Sequence, residues 1–148
     1  MSATPPPMPS PPSWKGRLIV GGATLVVFGV ACALPAYYLK NGDRWSGGQV
    51  LLMGWMGLFL GQLGWFANLL YFPALITLLC RCWKTTVILA GVAFLIGLHS
   101  FALALQEIPL DEGGVNKTTV TAIGAAPVVW LASFVVLGGG AWMLRTRN

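Results

Sequence analysis

The chain has 148 residues, of which 56% are hydrophobic and 9% charged, with a net charge of +5. A soluble domain carries about 25% charged residues, so this composition excludes a water-soluble enzyme. The charges are also segregated: residues 18–39, 49–80, 85–105 and 120–144 contain no Asp, Glu, Lys or Arg. About 20 apolar residues cross the hydrocarbon core of a bilayer, so the pattern predicts an all-α integral membrane protein built as a four-helix bundle.

Residues 1–14 begin MSATPPPMPSPPS and show no apolar periodicity, which predicts a disordered, Pro-rich cytoplasmic tail ahead of a single transmembrane domain, 15–148. The first apolar run, with Ala31-Cys32-Ala33 inside it, imitates a signal peptide, but its 22 residues exceed the h-region of about 7–15, so an uncleaved span is expected. Cys32 falls inside this span, and Cys80 and Cys82 at a membrane edge, all expected as free thiols.

The second segment is too long. Its 32 residues would make a helix of about 48 Å, against the ~30 Å that a bilayer core needs. Pro73 removes a helical donor and crowds the preceding turn, and Asn68 can cap the freed turn, so the helix is expected to be kinked or broken near Asn68 and Pro73. Two outcomes fit: one long kinked helix, or an interfacial half-helix over 47–60 followed by a span over 61–80.

Small residues recur in two rows. Gly54, Gly57, Gly61 and Gly64 include a GxxxG match, and the third segment carries Thr86, Ala90, Ala93, Gly97, Ser100 and Ala104 at steps of four and three. Such rows let helix backbones approach closely in lipid, where no hydrophobic force drives helices together. Gly54, Gly57, Gly61, Gly64, Ala90, Ala93 and Gly97 are therefore expected helix-packing residues, facing one another or a second copy.

Few polar groups enter the spans. Gln62, Asn68 and His99 are the strongly polar ones, and with Glu107 just outside they form a candidate polar site. A single His without a partnering Cys or carboxylate suits an interhelical hydrogen bond better than a metal or haem, so no cofactor and no metal is expected. The lack of intramembrane carboxylates argues against proton-coupled transport. Residues 106–119, QEIPLDEGGVNKTT, hold Glu107, Asp111 and Glu112 without calcium-loop spacing or a nucleophile, so no catalytic residues are assigned.

The cations divide unevenly. With four spans, Lys15, Arg17, Arg81, Lys84, Arg145 and Arg147 share one side, while Lys40, Arg44 and Lys117 share the other with all four acids. The positive-inside rule then puts both termini in the cytoplasm of a multi-pass inner-membrane protein. Cations that flank apolar segments serve topology, so no nucleic-acid partner is expected.

The pattern GWMGLFLGQLGWFANLLYFP with the later EIPLDEGG resembles a loose group of small bacterial inner-membrane proteins with four predicted spans and no assigned activity. The resemblance implies a bacterial inner membrane and offers no catalytic residue. Two functions follow. The first is a non-enzymatic small subunit or interaction module that packs in the bilayer as a homo-oligomer or within a larger membrane complex. The second is a small transporter or ligand-binding membrane protein with its site at the interrupted second helix.

Overall fold

A computed structural model of the chain describes residues 14–109 and 117–146. The Pro-rich tail 1–13, the outer-loop residues Asp111, Glu112 and Asn116, and Arg147 lie outside the described residues. Helix α1 (Trp14–Ala33) is followed by strands β1 (Pro35–Leu39) and β2 (Arg44–Ser46), then helix α2 (Gly47–Met53) continued as a 3-10 helix over Gly54–Leu60. A short 3-10 turn, Gly64–Phe66, leads into α3 (Ala67–Leu79), and α4 (Trp83–Gly97) runs on as a 3-10 helix over Leu98–Leu105. Strands β3 (Glu107–Pro109) and β4 (Lys117–Ile123) precede α5 (Ala126–Thr146).

Three stretches, Trp14–Ala33, Trp83–Leu105 and Ala126–Thr146, are long and apolar enough to cross a membrane. Helices α1, α3, α4 and α5 share one core, with α5 packed against both α1 and α4, and α3 against α4. Tyr71, Ala74, Leu78, Ala90, Ala93, Phe134, Leu137 and Ala141 fill it. Alanines make up much of this core, so the helices approach closely, while many Leu, Ile and Val side chains such as Ile19, Ile88 and Leu95 remain on the outside. That inversion suits a helix pair whose outer face meets apolar surroundings.

The sheet departs from the all-helical expectation. Its four strands run in the order β2-β1-β4-β3, every neighbour antiparallel. The expected first span therefore ends at Ala33, not residue 39, because Pro35 disfavours a helical Leu34 and opens a strand. The expected fourth span begins at Ala126, not residue 120. The stretch KTTVTAI is rich in β-branched residues and alternates buried Thr118 and Val120 with more exposed neighbours. Gly124 lets this junction close: a Cβ there would lie 2.1 Å from the Pro35 carbonyl oxygen. At the other end the first helix starts at Trp14, one residue inside the expected tail.

The second segment is broken at 61–63, not at Asn68 or Pro73. Pro73 is accommodated within α3. Gly61 instead takes a left-handed φ of 69°, its N–H donating to Leu58 O (3.0 Å), while Gln62 N–H reaches back to Gly57 O (2.8 Å). This pair of bonds is a Schellman ending, which glycine adopts without a Cβ penalty, so the chain turns where the glycine is and not where the proline is. Arg81 ends α3 in the same way, with φ 63°, Arg81 N–H donating to Leu78 O and Cys82 N–H to Thr77 O.

Charge is sorted by this architecture. Arg17 donates to the Leu79 carbonyl at the end of α3. A Cβ on Gly16 would touch Leu144 near the end of α5. The start of α1 and the ends of α3 and α5 thus meet, gathering Lys15, Arg17, Arg81, Lys84 and Arg145 at one end. The sheet, with Lys40, Asp43, Arg44, Glu107 and Lys117, lies at the opposite end.

Candidate functional site

The site is built where the interrupted segment meets the sheet. Ser46 caps α2 through a reciprocal box: its hydroxyl accepts from Gln49 N–H (3.2 Å) and Gln49 Oε1 accepts from Ser46 N–H (2.8 Å). Beyond the turn at Gly61 the chain folds back, and the Trp65 indole N–H donates to Leu51 O at 2.7 Å, tying the two halves together. Gly54 makes room for this, because a Cβ there would meet the Trp65 ring at 2.6 Å. Gly64 seats the fold-back on the 3-10 end of α4, where its Cβ would lie 2.8 Å from Ser100 N and 2.9 Å from Ser100 Cα.

Between these parts lies a cavity of about 570 Å³. One wall comes from the sheet (Tyr37, Trp45, Ile108), a second from the interrupted segment (Val50, Met53, Met56, Phe59, Leu60), and a third from Trp65, Ser100 and Leu103. Its surface is mostly apolar, with Gln49 and Gln62 contributing amides. No charged side chain lines it among the described residues. A smaller cavity of about 60 Å³ lies beside it, bounded by Phe28, Cys32, Asn68 and Trp130. Tyr37, Val50, Trp65 and Ser100 line both, so they form the partition between the two.

The partition is held by specific bonds. Tyr37 is buried and its hydroxyl donates to Ser100 O at 3.0 Å. Burial pushes the Tyr37 phenol above its ordinary pKa. The Ser100 hydroxyl oxygen is shielded from solvent and has no hydrogen-bond partner among the described residues.

The four expected polar residues do not converge. Gln62 is buried, lines the larger cavity and donates to Gln106 Oε1 at 2.8 Å. Asn68 is buried against the smaller cavity, donating to Trp65 O (2.9 Å) and accepting from the Trp130 indole (3.0 Å). His99 is exposed and lines neither cavity; its Nδ1 accepts from Leu63 N–H at 3.2 Å, an interhelical bond to backbone. Glu107 is exposed and pairs with Lys117 at 3.0 Å. Among the described residues no cluster of three His, Cys, Asp or Glu could hold a metal ion.

The packing residues divide likewise. Ala90 and Ala93 are buried in the helical core, and a Cβ on Gly97 would meet Leu131 at 2.7 Å. Gly54 and Gly57 make close contacts within the fold-back, against Trp65 and Gln62, and Gly64 against Ser100 of the 3-10 end of α4. A Cβ on Gly61 would meet nothing within 4 Å, and its left-handed backbone makes it a turn residue. The GxxxG match is thus the end of one 3-10 helix, not a helix face, because its second glycine terminates the helix.

Sequence reasoning missed Tyr37, Trp45, Gln49, Trp65 and Ser100 as cavity residues. The Ser46–Gln49 capping box was the one local signal available for where the interrupted segment starts. It also missed a polar tie in the helical core. There Thr24 Oγ1 donates to Ser133 O (2.7 Å) and shares a 3.0 Å bond with the Tyr71 hydroxyl, all three residues fully buried. Comparison with protein-family models, curated proteins and solved structures gives no match.

Proposed function

We propose that this chain is a multi-pass inner-membrane protein that binds an apolar, membrane-soluble ligand at its interrupted second segment. The observation that carries the reading is the cavity of about 570 Å³ between that segment and the sheet, within the roughly 300–1,000 Å³ usual for small-molecule sites. Its mouth supports the choice of an apolar ligand: Phe59 is 82% exposed and Met53 62%, so a ligand entering from lipid meets apolar side chains first. The gathering of five cations at the end away from the sheet favours a cytoplasmic position for that end and an outer position for the cavity. The reading assigns no catalytic step.

An interaction module drew its support from the glycine row, and Gly54, Gly57 and Gly64 are occupied within the chain. Ligand binding is therefore favoured over it. Displacement of a neutral fluorescent lipophile, Nile red, from the detergent-solubilised protein tests the proposal. Wild type is expected to bind saturably at one site, and Leu103→Trp or Met56→Trp, each filling the cavity, to weaken binding at least about tenfold. Unchanged binding in both variants would overturn it. Impermeant thiol reagents test the orientation, since exposed Cys80 and Cys82 should label only in permeabilised cells.

A further inference from the structure

The end of the fold away from the cavity collects positive charge that no described carboxylate neutralises. Arg17 donates to the Leu79 carbonyl oxygen, so its guanidinium stands beside the turn that joins α3 to α4. Arg81 lies in that turn and Lys84 in the first turn of α4, both exposed. A Cβ on Gly16 would lie 2.7 Å from Leu144, which brings the end of α5 to the same place, and there Arg145 sits 5.1 Å over the Trp142 ring. The described carboxylates, Asp43 and Glu107, both belong to the sheet end.

The backbone at Arg81 points the same way. With φ 63° it is the only described non-glycine residue in the left-handed region. A Cβ is disfavoured there, and glycine ends a helix at such a position without penalty, as Gly61 does. Arginine therefore weakens the turn, and its side chain makes no ion pair among the described residues in return. Strain kept at an exposed cation is explained by what the side chain meets outside the chain.

The neighbours of these cations limit the partner. Leu18, Ile76, Leu79 and Met143 are exposed within a turn or two of them. A soluble anion or an acidic peptide would satisfy the cations and leave those side chains in water, whereas an anionic amphiphile satisfies both. Resting on the membrane placement proposed above and not on the cavity ligand, we infer that this end binds an anionic phospholipid. Its phosphate is held between Arg17, Arg81 and Lys84, and its acyl chains lie against the apolar side chains beside them.

The test is competitive native mass spectrometry of the full chain in nonionic detergent. The probes are equal amounts of dioleoyl phosphatidylglycerol and dioleoyl phosphatidylcholine, which share their chains and differ in net charge. A cation near a lipid surface contributes about fivefold in binding, so a preference of about tenfold or more for phosphatidylglycerol is expected. Arg81→Gly and, separately, Lys84→Gln should each remove about threefold or more of it. Arg81→Gly should also melt no lower than wild type, because glycine suits the turn. Arg44→Gln removes the same charge at the sheet end and should leave the preference unchanged. Equal retention of the two lipids, full preference in both site variants, or an Arg44→Gln loss as large as that of Arg81→Gly would each sink the assignment. An Arg81→Gly protein melting well below wild type would do the same, as would release of the lipid by an equal concentration of glycerol phosphate, the mark of a soluble-phosphate site. Membrane placement is read separately, by washing protein reconstituted in phosphatidylcholine vesicles with alkaline carbonate. Protein that stays keeps that reading whatever the lipid preference, and protein that washes off takes both down.

Discussion

Three glycine-to-alanine substitutions separate close approach from simple helix propensity. In Gly91→Ala the new Cβ meets nothing within 4 Å. Only the backbone gain remains, about 0.5–1 kcal/mol of stabilisation for alanine over glycine in a helix. In Gly97→Ala the Cβ would lie 2.7 Å from a Leu131 methyl, 3.2 Å from the Trp130 ring and 3.3 Å from Phe134. The Leu131 tip can rotate but the two rings are less free, so the propensity gain is outweighed and a net loss of about 1 kcal/mol is expected. Gly64→Ala is different in kind. Its Cβ would lie 2.8–2.9 Å from the backbone N, Cα and Cβ of Ser100, none of which a rotamer change can move. The fold-back must lift off α4, and the cost is expected at the upper end of the overpacking range, about 3 kcal/mol. Gly64 and Ser100 also line the cavity, so the same substitution should weaken Nile red binding. Denaturation of the purified variants in mixed micelles, followed by tryptophan fluorescence, gives the order Gly91→Ala above wild type, Gly97→Ala slightly below and Gly64→Ala far below. A Gly64→Ala protein as stable as wild type, or destabilised less than Gly97→Ala, would refute the fold-back geometry.

The core polar tie predicts a non-additive cycle. Thr24→Val orphans the Tyr71 hydroxyl and removes the second bond to the Ser133 carbonyl, which keeps its helical one, and should cost about 1–3 kcal/mol, whereas Tyr71→Phe leaves the Thr24–Ser133 bond intact and should cost about 0.6 kcal/mol. Adding Tyr71→Phe to Thr24→Val removes the orphaned hydroxyl, so the double variant should be no less stable than Thr24→Val alone; simple additivity in a denaturation series would count against the network. Glu107→Gln removes an ion pair whose side chains are 63% and 55% exposed, and the stability change is expected below about 1 kcal/mol. A larger loss, or a loss of ligand binding, would restore Glu107 as a site residue.

How much was legible depended on which residue controlled each boundary. The apolar runs located three helices that are long enough to span, because a charge-free stretch of that length leaves few alternatives. The overlong second segment also announced an interruption, and the half-helix over 47–60 is one of its two expected forms. Its position was misread because a proline inside an apolar run draws attention, while glycine does more: Gly61 reaches a left-handed φ that stops the helix outright, and Pro73 only removes one donor in an otherwise continuous α3. The charge-free runs also concealed the sheet, since Pro35–Leu39 and Val120–Ile123 carry no charge and so extend the uncharged segments they adjoin. Pro35 and the run of Thr and Val in KTTVTAI were signals of extended backbone, outweighed by the length arithmetic. The cavity was illegible for another reason. Tyr37, Trp65 and Ser100 come from three separate elements, and their convergence follows from the fold-back at Gly64 and the sheet closing at Gly124, neither of which has a periodic signature.

The break and the sheet explain each other. A 3-10 stretch such as Gly54–Leu60 and the turn that follows present backbone polar groups less regularly than a helix, and irregular backbone at membrane depth persists only where protein or a cavity surrounds it. Here the sheet supplies that cover: Tyr37, Trp45 and Ile108 face the interrupted segment across the cavity, while Ser46 caps its start and Trp65 bonds to Leu51 O across its two halves. The continuation of α4 as a 3-10 helix from Leu98 has the same setting, with Ser100 in the partition and Leu103 in the wall. Both departures from α-helix therefore sit against one space. The irregular backbone and the cavity are thus parts of one arrangement, in which the turn at Gly61 and the Trp65–Leu51 bond hold the interrupted segment away from the sheet.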